Sequence, residues 1–485
     1  MIENDINRDL LSKNKDKMKF ALLNVTTTFD YDLYSIKRPS SSSVLAPPLG
    51  LLYIGRSLED EGHNVEIIDS PLENNLMDAI KKSIKSADAI GMQIYTYGCE
   101  DASKIAQYIK EIDTSMPIII GGSHPTIHPN TVLNDITSAD ISVEGEGEYS
   151  IKDIAKAIQG KKKLSKIPGV HYRDKSTIKK GKPPSIIKDL DYIPFPSRHL
   201  VDKYEKKYGK VNNAFLLKPL VTAIETTRGC PNVCRFCTRN IIKNISDPKL
   251  YRKRSVKSVI QEISELVDKY KSLYIVDENF LADKKRTNLI MDGLIELGSN
   301  IELMIEGARI DSADRELYKK MKKANVKIIG YGIESGNQDV LDFYNKKITL
   351  EQTRKTINLC NEMNFIIRAT FILGAPFETK QHFEKTIQFA CSLPLDIAIF
   401  RPLSYCPGSV LWDEAVKQGK IMKNENIIIA DSERDLSRFT EEELKEFSSY
   451  AFKRFYIRPK YIFHEIFKMI RSNDFRLLKV GFNYI

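Results

Sequence analysis

The chain has 485 residues, of which 42% are apolar and 28% charged, and its formal net charge is +10. This length predicts two or three domains, and the composition is typical of globular proteins rather than of disordered chains. Seven cysteines in so long a chain exclude a disulfide framework and favour a reducing compartment. Residues 1–19 carry no signal-peptide pattern and no apolar run is long enough to span a membrane, so we expect a cytoplasmic protein.

Strand-like and helix-like segments alternate between residues 19 and 160. The predicted strands cover Lys19–Val25, Val65–Asp69, Ala89–Ile94, Pro117–Ile120 and Asp140–Val143. The predicted helices cover Pro48–Gly62, Leu76–Ile84, Asp101–Ile112 and Tyr149–Ile158. This alternation predicts an α/β, Rossmann-like domain with a doubly wound parallel sheet, whose ligands bind at the carboxyl ends of the strands. Residues 1–18 are predicted to form a disordered polar lead.

Glycines follow the fourth and fifth predicted strands, where they let backbone approach a bulky ligand. The order PPLGLLYIG, GHNVEIID, GGSHPTIHP and EGEGE resembles the cobalamin-binding domain fused to many radical S-adenosylmethionine (SAM) enzymes, over about residues 19–160. A flavodoxin-like domain that kept its glycines for turns is the alternative. The resemblance implies that the cobalamin contacts are Gly121, Gly122, Ser123, Gly145, Glu146 and Gly147.

The loop after the first predicted strand, residues 24–33, contains no histidine. Cobalamin domains that supply a histidine lower ligand carry the pattern D-x-H-x-x-G there. The resemblance therefore implies cobalt without a histidine ligand from this loop. His124 and His128 remain as nearby candidates, although loop histidines are more often solvated.

Residues 161–215 are predicted to be a linker, because they contain a basic run and several prolines, including Pro183, Pro184, Pro194 and Pro196. Proline density of this kind favours an extended, semi-rigid connection over a further domain. The stretch DLDYIPFPSRH resembles the connector that precedes the catalytic domain in radical SAM fusions.

Six further strand–helix units are predicted between residues 216 and 410. Their strands are Val221–Glu225, Leu273–Asp277, Glu302–Gly307, Lys327–Ile333, Ile366–Leu373 and Asp396–Arg401. Six units are too few for a closed eight-stranded barrel, and a partial barrel is expected, with its chemistry at the carboxyl ends of the strands. Residues 411–485 are predicted to be a helical C-terminal region.

Cys230, Cys234 and Cys237 form a C-x3-C-x2-C motif directly after the first of these strands. Four cysteines usually hold a 4Fe-4S cluster, so three leave one iron open to a substrate or cofactor. A structural zinc site is the alternative, but it usually needs four ligands and no second ligand pair exists here. The motif, with Phe236 beside its last cysteine, resembles the radical SAM superfamily, in which the open iron binds SAM.

The later strand ends carry polar or glycine motifs that match this superfamily. The resemblance implies that Arg309 pairs with the SAM carboxylate, that Glu334 and Ser335 bind its amine or ribose, and that the GAPFE segment backs its adenine. The implied SAM contacts are Phe236, Asn279, Arg309, Glu334, Ser335, Gly374 and Pro376. No catalytic residue is assigned. The other cysteines, Cys99, Cys360, Cys391 and Cys406, lack ligand spacing and are interpreted as small apolar residues.

The tail from residue 453 to residue 485 carries eight Lys/Arg and two Asp/Glu, a net charge of +6. A helix of this composition packs across a barrel mouth with its lysines outward, the favoured interpretation, or lies on an anionic membrane surface.

The sequence therefore predicts a cobalamin-dependent radical SAM enzyme acting under anaerobic conditions, in particular a methyltransferase that methylates an unactivated carbon through a 5′-deoxyadenosyl radical and methylcobalamin. The implied cofactors are a 4Fe-4S cluster, SAM and cobalamin. The alternatives are a cyclase or oxidative enzyme with the same cofactors, or a non-catalytic cobalamin or SAM sensor. The expected partners are a small-molecule, peptide or lipid substrate and an electron donor such as ferredoxin or flavodoxin, without DNA.

Overall fold

The computed structural model describes residues 16–25, 44–211, 214–238, 251–472 and 474–476, and these form two compact units. The described residues of the first unit are 16–25 and 48–204, and the second unit holds the others. The predicted disordered lead falls mostly on residues 1–15, which lie outside the described ranges. Within those ranges, no helix combines the length and the apolar character that a membrane-crossing segment needs.

The first unit is built on a seven-stranded sheet of order β2-β1-β3-β4-β5-β6-β7. Its strands are β1 (Lys19–Val25), β2 (Asn64–Asp69), β3 (Ala89–Ile94), β4 (Ile118–Gly121), β5 (Ile141–Val143), β6 (Val170–Asp174) and β7 (Thr177–Lys180). Its helices are α1 (Leu49–Asp60), α2 (Leu76–Ile84), α3 (Cys99–Ile112), α4 (Ser123–Ile127), α5 (Val132–Asp135) and α6 (Ser150–Ile158). Strands β1 to β5 pair in parallel, which confirms the predicted doubly wound sheet.

Part of the predicted linker is a β-hairpin instead. Strand β6 pairs antiparallel with β5 and with β7 and so extends the sheet. Val170 and Tyr172 are buried on one face of β6, since alternate residues of a strand share a face. The chain then stays with the first unit up to Tyr204, whose hydroxyl accepts a hydrogen bond from the Asp69 amide at 3.3 Å. The linker prediction was based on the prolines, which flank the short run of strand-forming residues in this hairpin.

The second unit contains a six-stranded parallel sheet of order β10-β13-β14-β15-β16-β17. Its strands and the short pairs around them are β8 (Lys210–Val211), β9 (Ala214–Phe215), β10 (Val221–Ile224), β11 (Thr227–Arg228), β12 (Arg252–Lys253), β13 (Ser272–Ile275), β14 (Glu302–Ala308), β15 (Val326–Glu334), β16 (Ile366–Leu373), β17 (Ile397–Pro402), β18 (Ser404–Tyr405) and β19 (Ile428–Ile429). Its helices are α7 (Val256–Leu266), α8 (Lys284–Glu296), α9 (Arg315–Lys323), α10 (Gln338–Phe343), α11 (Leu350–Glu362), α12 (Lys380–Ser392), α13 (Val410–Lys417), α14 (Glu441–Tyr456) and α15 (Pro459–Ser472). The six parallel strands confirm the predicted partial barrel, and α13 to α15 confirm the helical C-terminus.

Helix α14 covers the edge strand β17. The Tyr456 hydroxyl accepts a hydrogen bond from the Ala398 amide at 3.0 Å and donates one to the Ala398 carbonyl at 3.1 Å. These bonds satisfy backbone groups that an open sheet edge would leave unpaired. The barrel therefore ends at β17 with its edge protected.

Helix α15 packs at the amino ends of the strands, away from their carboxyl ends. Lys468 donates hydrogen bonds at 2.6 Å to the Phe365 carbonyl, just before β16, and to both oxygens of Asp396, just before β17. The expectation of a helix across the barrel mouth with its lysines outward is therefore wrong. A buried carboxylate at the start of β17 draws the lysine inward.

Candidate active site

The cysteine loop is fixed where it leaves β10. Asp277, which follows β13, accepts hydrogen bonds from the Thr226 amide at 2.6 Å, the Thr226 hydroxyl at 2.5 Å and the Thr227 hydroxyl at 2.8 Å. Burial raises the pKa of the Asp277 carboxyl, whereas these three bonds favour its charged form. Because β10 and β13 are neighbouring parallel strands, the ETT sequence after β10 lies next to the DEN sequence after β13. This contact fixes the start of the cysteine loop.

Cys230, Cys234 and Cys237 line one cavity of about 270 Å³ at the carboxyl ends of the strands. None of the seven cysteines, which all lie in the described ranges, forms a disulfide. The side-chain amides of Asn232 and Asn279 lie 3.5 and 3.9 Å from the Cys230 sulfur, and Nη1 of Arg309 lies 3.6 Å from the Cys234 sulfur. Nitrogen donors around sulfur stabilise thiolates and cluster sulfur, so this donor set fits a three-cysteine iron–sulfur cluster.

Asn279 also offers an acceptor at this position. The residue is 2% exposed, and its Oδ1 has no hydrogen-bond partner among the described residues. Buried polar atoms are nearly always paired, and an orphan next to a binding cavity suggests a missing ligand. An amide oxygen beside Cys230 fits an ammonium group, which is the part of SAM that the resemblance places there.

Arg309 lines the cavity and is also held by the protein, and its pairing with the SAM carboxylate stays a prediction. Its guanidinium forms a fork with Asp311, with distances of 3.0 and 2.9 Å, and donates to the Lys346 carbonyl at 2.6 Å. Arg309 and Asp311 both belong to the GARID motif, but only the arginine was given a role from the sequence. Asp311 therefore positions Arg309 beside Cys234.

Glu334 enters the same cavity from the end of β15 with a backbone φ of +71°. Its carboxylate accepts hydrogen bonds from Lys346 Nζ at 2.7 Å and from the Thr370 hydroxyl at 3.4 Å. A positive φ in a residue other than glycine costs about 1–3 kcal/mol and persists where its surroundings impose it, often at functional sites. Lys346 was not predicted from the sequence, because its side chain reaches Glu334 from a turn after α10.

A second charged pair lines the same cavity. Arg368 of β16 donates to Glu306 of β14 at 2.6 Å, past Gly330 of the strand between them. A β-carbon at Gly330 would lie 2.7 Å from the Glu306 carboxylate, so glycine leaves the space for this pair. No local sequence signal predicts this pair, because its two charged residues and the glycine between them come from three different strands.

Four predicted SAM contacts lie outside the residues that line the cavity, namely Asn279, Ser335, Gly374 and Pro376, whereas Phe236 lines it. Ser335 is buried, and its hydroxyl pairs with the Thr386 hydroxyl at 3.2 Å on α12. The Gly374 amide donates to Glu378 at 2.8 Å, and a β-carbon there would lie 2.8 Å from Leu444. Pro376 is half-buried in the same turn. Their assignment to SAM stays a prediction.

The glycines of the first unit differ in what surrounds them. A β-carbon at Gly121 would meet no atom of the described residues within 4 Å, so these residues leave open space at the end of β4. Gly122 has φ +107°, and its β-carbon would lie 2.9 Å from the Ile94 carbonyl oxygen. A β-carbon at Gly147 would lie 2.9 Å from Ile54. Gly122 is therefore needed by the backbone next to it, whereas the contact at Gly147 is only with the end of a flexible side chain, and the described residues leave room for a ligand at Gly121.

The other predicted cobalamin contacts belong to two connected loops. The Thr126 hydroxyl, in the helix that begins at Ser123, donates to the Gly122 carbonyl at 2.8 Å and accepts from the Gly145 amide at 2.9 Å. Glu146 accepts a hydrogen bond from the Ile187 amide at 2.6 Å. The loops after β4 and β5 are thus held together as one surface at the carboxyl ends of the strands.

Two tyrosines that the sequence analysis missed stand at the end of β3. The rings of Tyr95 and Tyr97 are stacked, with centroids 5.6 Å apart and planes 7° apart, and Tyr97 is 45% exposed. The YTYG sequence after the third predicted strand was the available signal. An exposed flat ring beside the Gly121 opening fits a planar macrocycle such as a corrin.

His124 is unsuited to reach a ligand at this surface. It is 0% exposed, and neither ring nitrogen has a hydrogen-bond partner among the described residues. Burial, with a smaller contribution from His128, lowers the pKa of His124 to about 4. The ring is therefore a neutral, enclosed group. The loop at residues 26–33, where a histidine ligand was expected to be missing, lies outside the described ranges.

Comparisons with known proteins match this arrangement. Residues 224–390 match the Radical SAM superfamily, and residues 40–155 match the B12 binding domain. The uncharacterized methyltransferase PH0819 of Pyrococcus horikoshii is 30% identical over 428 residues, which span 87% of this chain and 90% of that protein. An anaerobic magnesium-protoporphyrin IX monomethyl ester cyclase of Cereibacter sphaeroides is 25% identical over 438 residues, spanning 86% of this chain and 68% of the cyclase.

A solved structure shares the fold. The cobalamin-dependent SAM radical enzyme OxsB, with aqua-cobalamin and SAM bound, aligns with a TM-score of 0.68 at 18% identity, covering 96% of this chain and 72% of that one. The two family matches fall on the unit with the glycine loops and on the unit with the cysteine cavity, and the relationship to PH0819 extends through both. The chain therefore belongs to the cobalamin-binding radical SAM enzymes.

Proposed function

We propose that this enzyme methylates an unactivated carbon of a small-molecule substrate. The observation that carries the proposal is a cavity lined by three cysteines with cluster spacing and by the Glu334 carboxylate, next to Asn279, whose side-chain oxygen is unpaired among the described residues. Methyl transfer as the outcome is supported by PH0819, which is named as a methyltransferase and aligns over 90% of its length.

The residues of the cavity have distinct roles in this proposal. Cys230, Cys234 and Cys237 hold a 4Fe-4S cluster. Asn279 accepts a hydrogen bond from the SAM ammonium, and Glu334 accepts one from its ribose or amine. When bound, the three cofactors supply a 5′-deoxyadenosyl radical and a transferable methyl group. The chain itself orients SAM, keeps the cluster sulfur hydrogen-bonded and encloses the reacting atoms.

Cobalamin is assigned to the carboxyl ends of the first unit. Gly121 leaves open space there, the Thr126 hydroxyl holds the two glycine loops together, and Tyr97 offers an exposed ring. These features fit a large planar ligand, because glycine lets it approach the backbone and an aromatic ring can lie against it.

The partners in the proposal are a reductant and a membrane. A ferredoxin- or flavodoxin-like donor supplies electrons to the cluster, and the basic C-terminal tail contacts an anionic membrane surface. A cytoplasmic location is supported by seven cysteines without a disulfide, because cluster ligation needs a compartment that keeps thiols reduced.

Anaerobic reconstitution with iron, sulfide and hydroxocobalamin tests the cofactor set. We expect the visible spectrum to show both cluster and cobalamin bands, and reduction in the presence of SAM to release 5′-deoxyadenosine. With SAM deuterated in its methyl group, a substrate product heavier by a fully labelled methyl group is expected. SAM that stays intact after reduction, with both cofactors bound, would favour a sensor and overturn the enzymatic proposal.

Ring formation is the second candidate function, because the Cereibacter sphaeroides cyclase aligns over 86% of this chain. The two reactions differ in product mass. A cyclase or oxidative enzyme would release 5′-deoxyadenosine but give a product that carries no methyl group from SAM. The same deuterated SAM therefore separates the two functions in one experiment.

A further inference from the structure

Helix α15 is amphipathic, but its apolar side is exposed and its buried side carries charged residues. Phe463 and Phe467 are 72% and 68% exposed, whereas Glu465, Lys468 and Met469 are buried. In surface helices the apolar stripe normally faces the core and the charged face meets water. The exposed apolar side chains of this region, named here the α15 face, are Ile462, Phe463, Ile466, Phe467 and Ile470. Positions three and four apart lie on one side of a helix, so these residues form one continuous stripe.

The orientation of this face is fixed by buried polar contacts. Lys468 bonds to both oxygens of Asp396 at 2.6 Å, and the Tyr461 hydroxyl donates to the Asp396 carbonyl at 2.8 Å. Arg458, just before the helix, packs its guanidinium 4.2 Å from the centre of the Phe455 ring. Turning the helix to bury its phenylalanines would separate the Lys468 ammonium from the Asp396 carboxylate. Loss of this buried pairing costs several kcal/mol. The α15 face therefore stays outward.

Positive charge accompanies the α15 face. Lys453, in the last turn of α14, and Lys460, in the first turn of α15, are both exposed. The tail from residue 453 to residue 485 has eight Lys/Arg and two Asp/Glu, hence a net charge of +6. Aromatic and aliphatic residues on one side, with basic residues around them, are the composition of helices that lie in the interface of anionic bilayers.

We infer that α15 is an interfacial anchor, whose apolar side enters an anionic lipid bilayer at the amino-end side of the partial barrel. This inference names the residues behind the membrane contact of the proposed function and rests on that proposal. Helix α15 contacts the amino ends of β16 and β17. The cysteine cavity lies at the opposite end of the strands, at their carboxyl ends. The anchor therefore binds the enzyme to the bilayer while the cavity stays accessible from water.

Vesicle flotation with the reconstituted full-length protein tests this inference. The probes are vesicles of equal parts phosphatidylcholine and phosphatidylserine, and vesicles of phosphatidylcholine alone. We expect the protein to float with the anionic vesicles, to float less with the neutral ones, and to be released as salt is raised. The double variant Phe463→Glu, Phe467→Glu should lose at least roughly tenfold in vesicle affinity, since burial of one phenylalanine alone exceeds that factor.

The matched control is the double variant Leu289→Glu, Met422→Glu, which places the same two charges on exposed apolar residues outside the α15 face. It should float as the unmodified protein does. Equal flotation of the Phe463/Phe467 variant and the unmodified protein, or no flotation with anionic vesicles, would overturn the inference. A dimer in solution that the Phe463/Phe467 variant converts to a monomer, without vesicle binding, would show that a second copy covers the face instead. Release of 5′-deoxyadenosine is measured on the same samples, so failure of the anchor is distinguished from failure of the proposed reaction.

Discussion

Lys346 places its ammonium 2.7 Å from the carboxylate of Glu334 inside the cavity that the cluster cysteines line. Both side chains are more than nine-tenths buried, so neither charge is compensated by bulk water. The pair holds Glu334 in its unusual backbone conformation and presents one side of its carboxylate to the cavity.

Replacement of Glu334 by glutamine should weaken SAM binding and lower the free energy of unfolding. The change leaves the buried Lys346 ammonium without its counter-charge, and loss of one partner of a buried pair costs about 3–5 kcal/mol. SAM affinity is measured by equilibrium dialysis and stability by urea unfolding. The double variant Glu334→Gln, Lys346→Met should recover much of the stability without recovering SAM affinity. Recovery of both would mean that the pair is structural alone.

Alanine at Cys230, Cys234 or Cys237 should remove most of the bound iron and abolish SAM cleavage, because each thiolate ligates one iron of the cluster. Cys406 is the sharpest control, since burial and the nearby Cys237 raise its pKa to about 11 and keep it a neutral thiol. Cys406→Ser, like changes at Cys99 or Cys391, should leave iron per chain unchanged. Comparable iron loss in Cys406→Ser would show that the ligand set is incomplete.

Gly121→Val should fold normally but lose cobalamin while the iron content stays normal. Its β-carbon meets no atom of the described residues within 4 Å, so the new side chain starts in space that these residues leave open to a ligand. Gly122→Ala should lower stability even without cobalamin, because its β-carbon would lie 2.9 Å from the Ile94 carbonyl oxygen. Cobalt and iron are measured by elemental analysis and stability by urea unfolding. Full cobalamin content in Gly121→Val would place the corrin elsewhere.

The Co(II) form of the bound cobalamin should show no nitrogen splitting from a protein histidine in its electron paramagnetic resonance spectrum. The reason is that His124 is fully enclosed. The spectrum of His124→Ala should match that of the unmodified protein. Nitrogen splitting that disappears in this variant would show that the helix opens and lets the imidazole reach cobalt.

Stability should fall as the pH drops from about 6.5 towards 4, in part because of His124. Its folded pKa of about 4 lies below the ordinary value of 6.5, so in this window the unfolded chain takes up a proton that the folded chain rejects. The contribution is complete above pH 6.5 and is lost as the pH falls through this window. His124→Leu should flatten the dependence of the urea midpoint on pH. It should also unfold at the same or a higher urea concentration, because no described residue pairs with the ring nitrogens. An unchanged slope would assign the pH dependence to other groups.

The sequence by itself determined the elements that depend on local pattern. Strand β16 at Ile366–Leu373 and helix α2 at Leu76–Ile84 lie where their periodicity predicts them. The three-cysteine motif predicts the cluster ligands in the same way, because cysteines on one short loop lie close together without help from the rest of the chain. The match to the radical SAM superfamily rests on this kind of local information.

Only the tertiary structure decided the contacts between distant residues. The Glu306–Arg368 pair needs the register of three strands and a glycine between them, and the orphaned Asn279 oxygen is recognisable only once its burial is known. Helix α15 shows the difference most clearly. Its composition predicts an amphipathic helix, but periodicity does not state which side faces the protein. Asp396, at the start of β17, decides that side, because a buried carboxylate requires the Lys468 ammonium and so leaves the apolar side exposed.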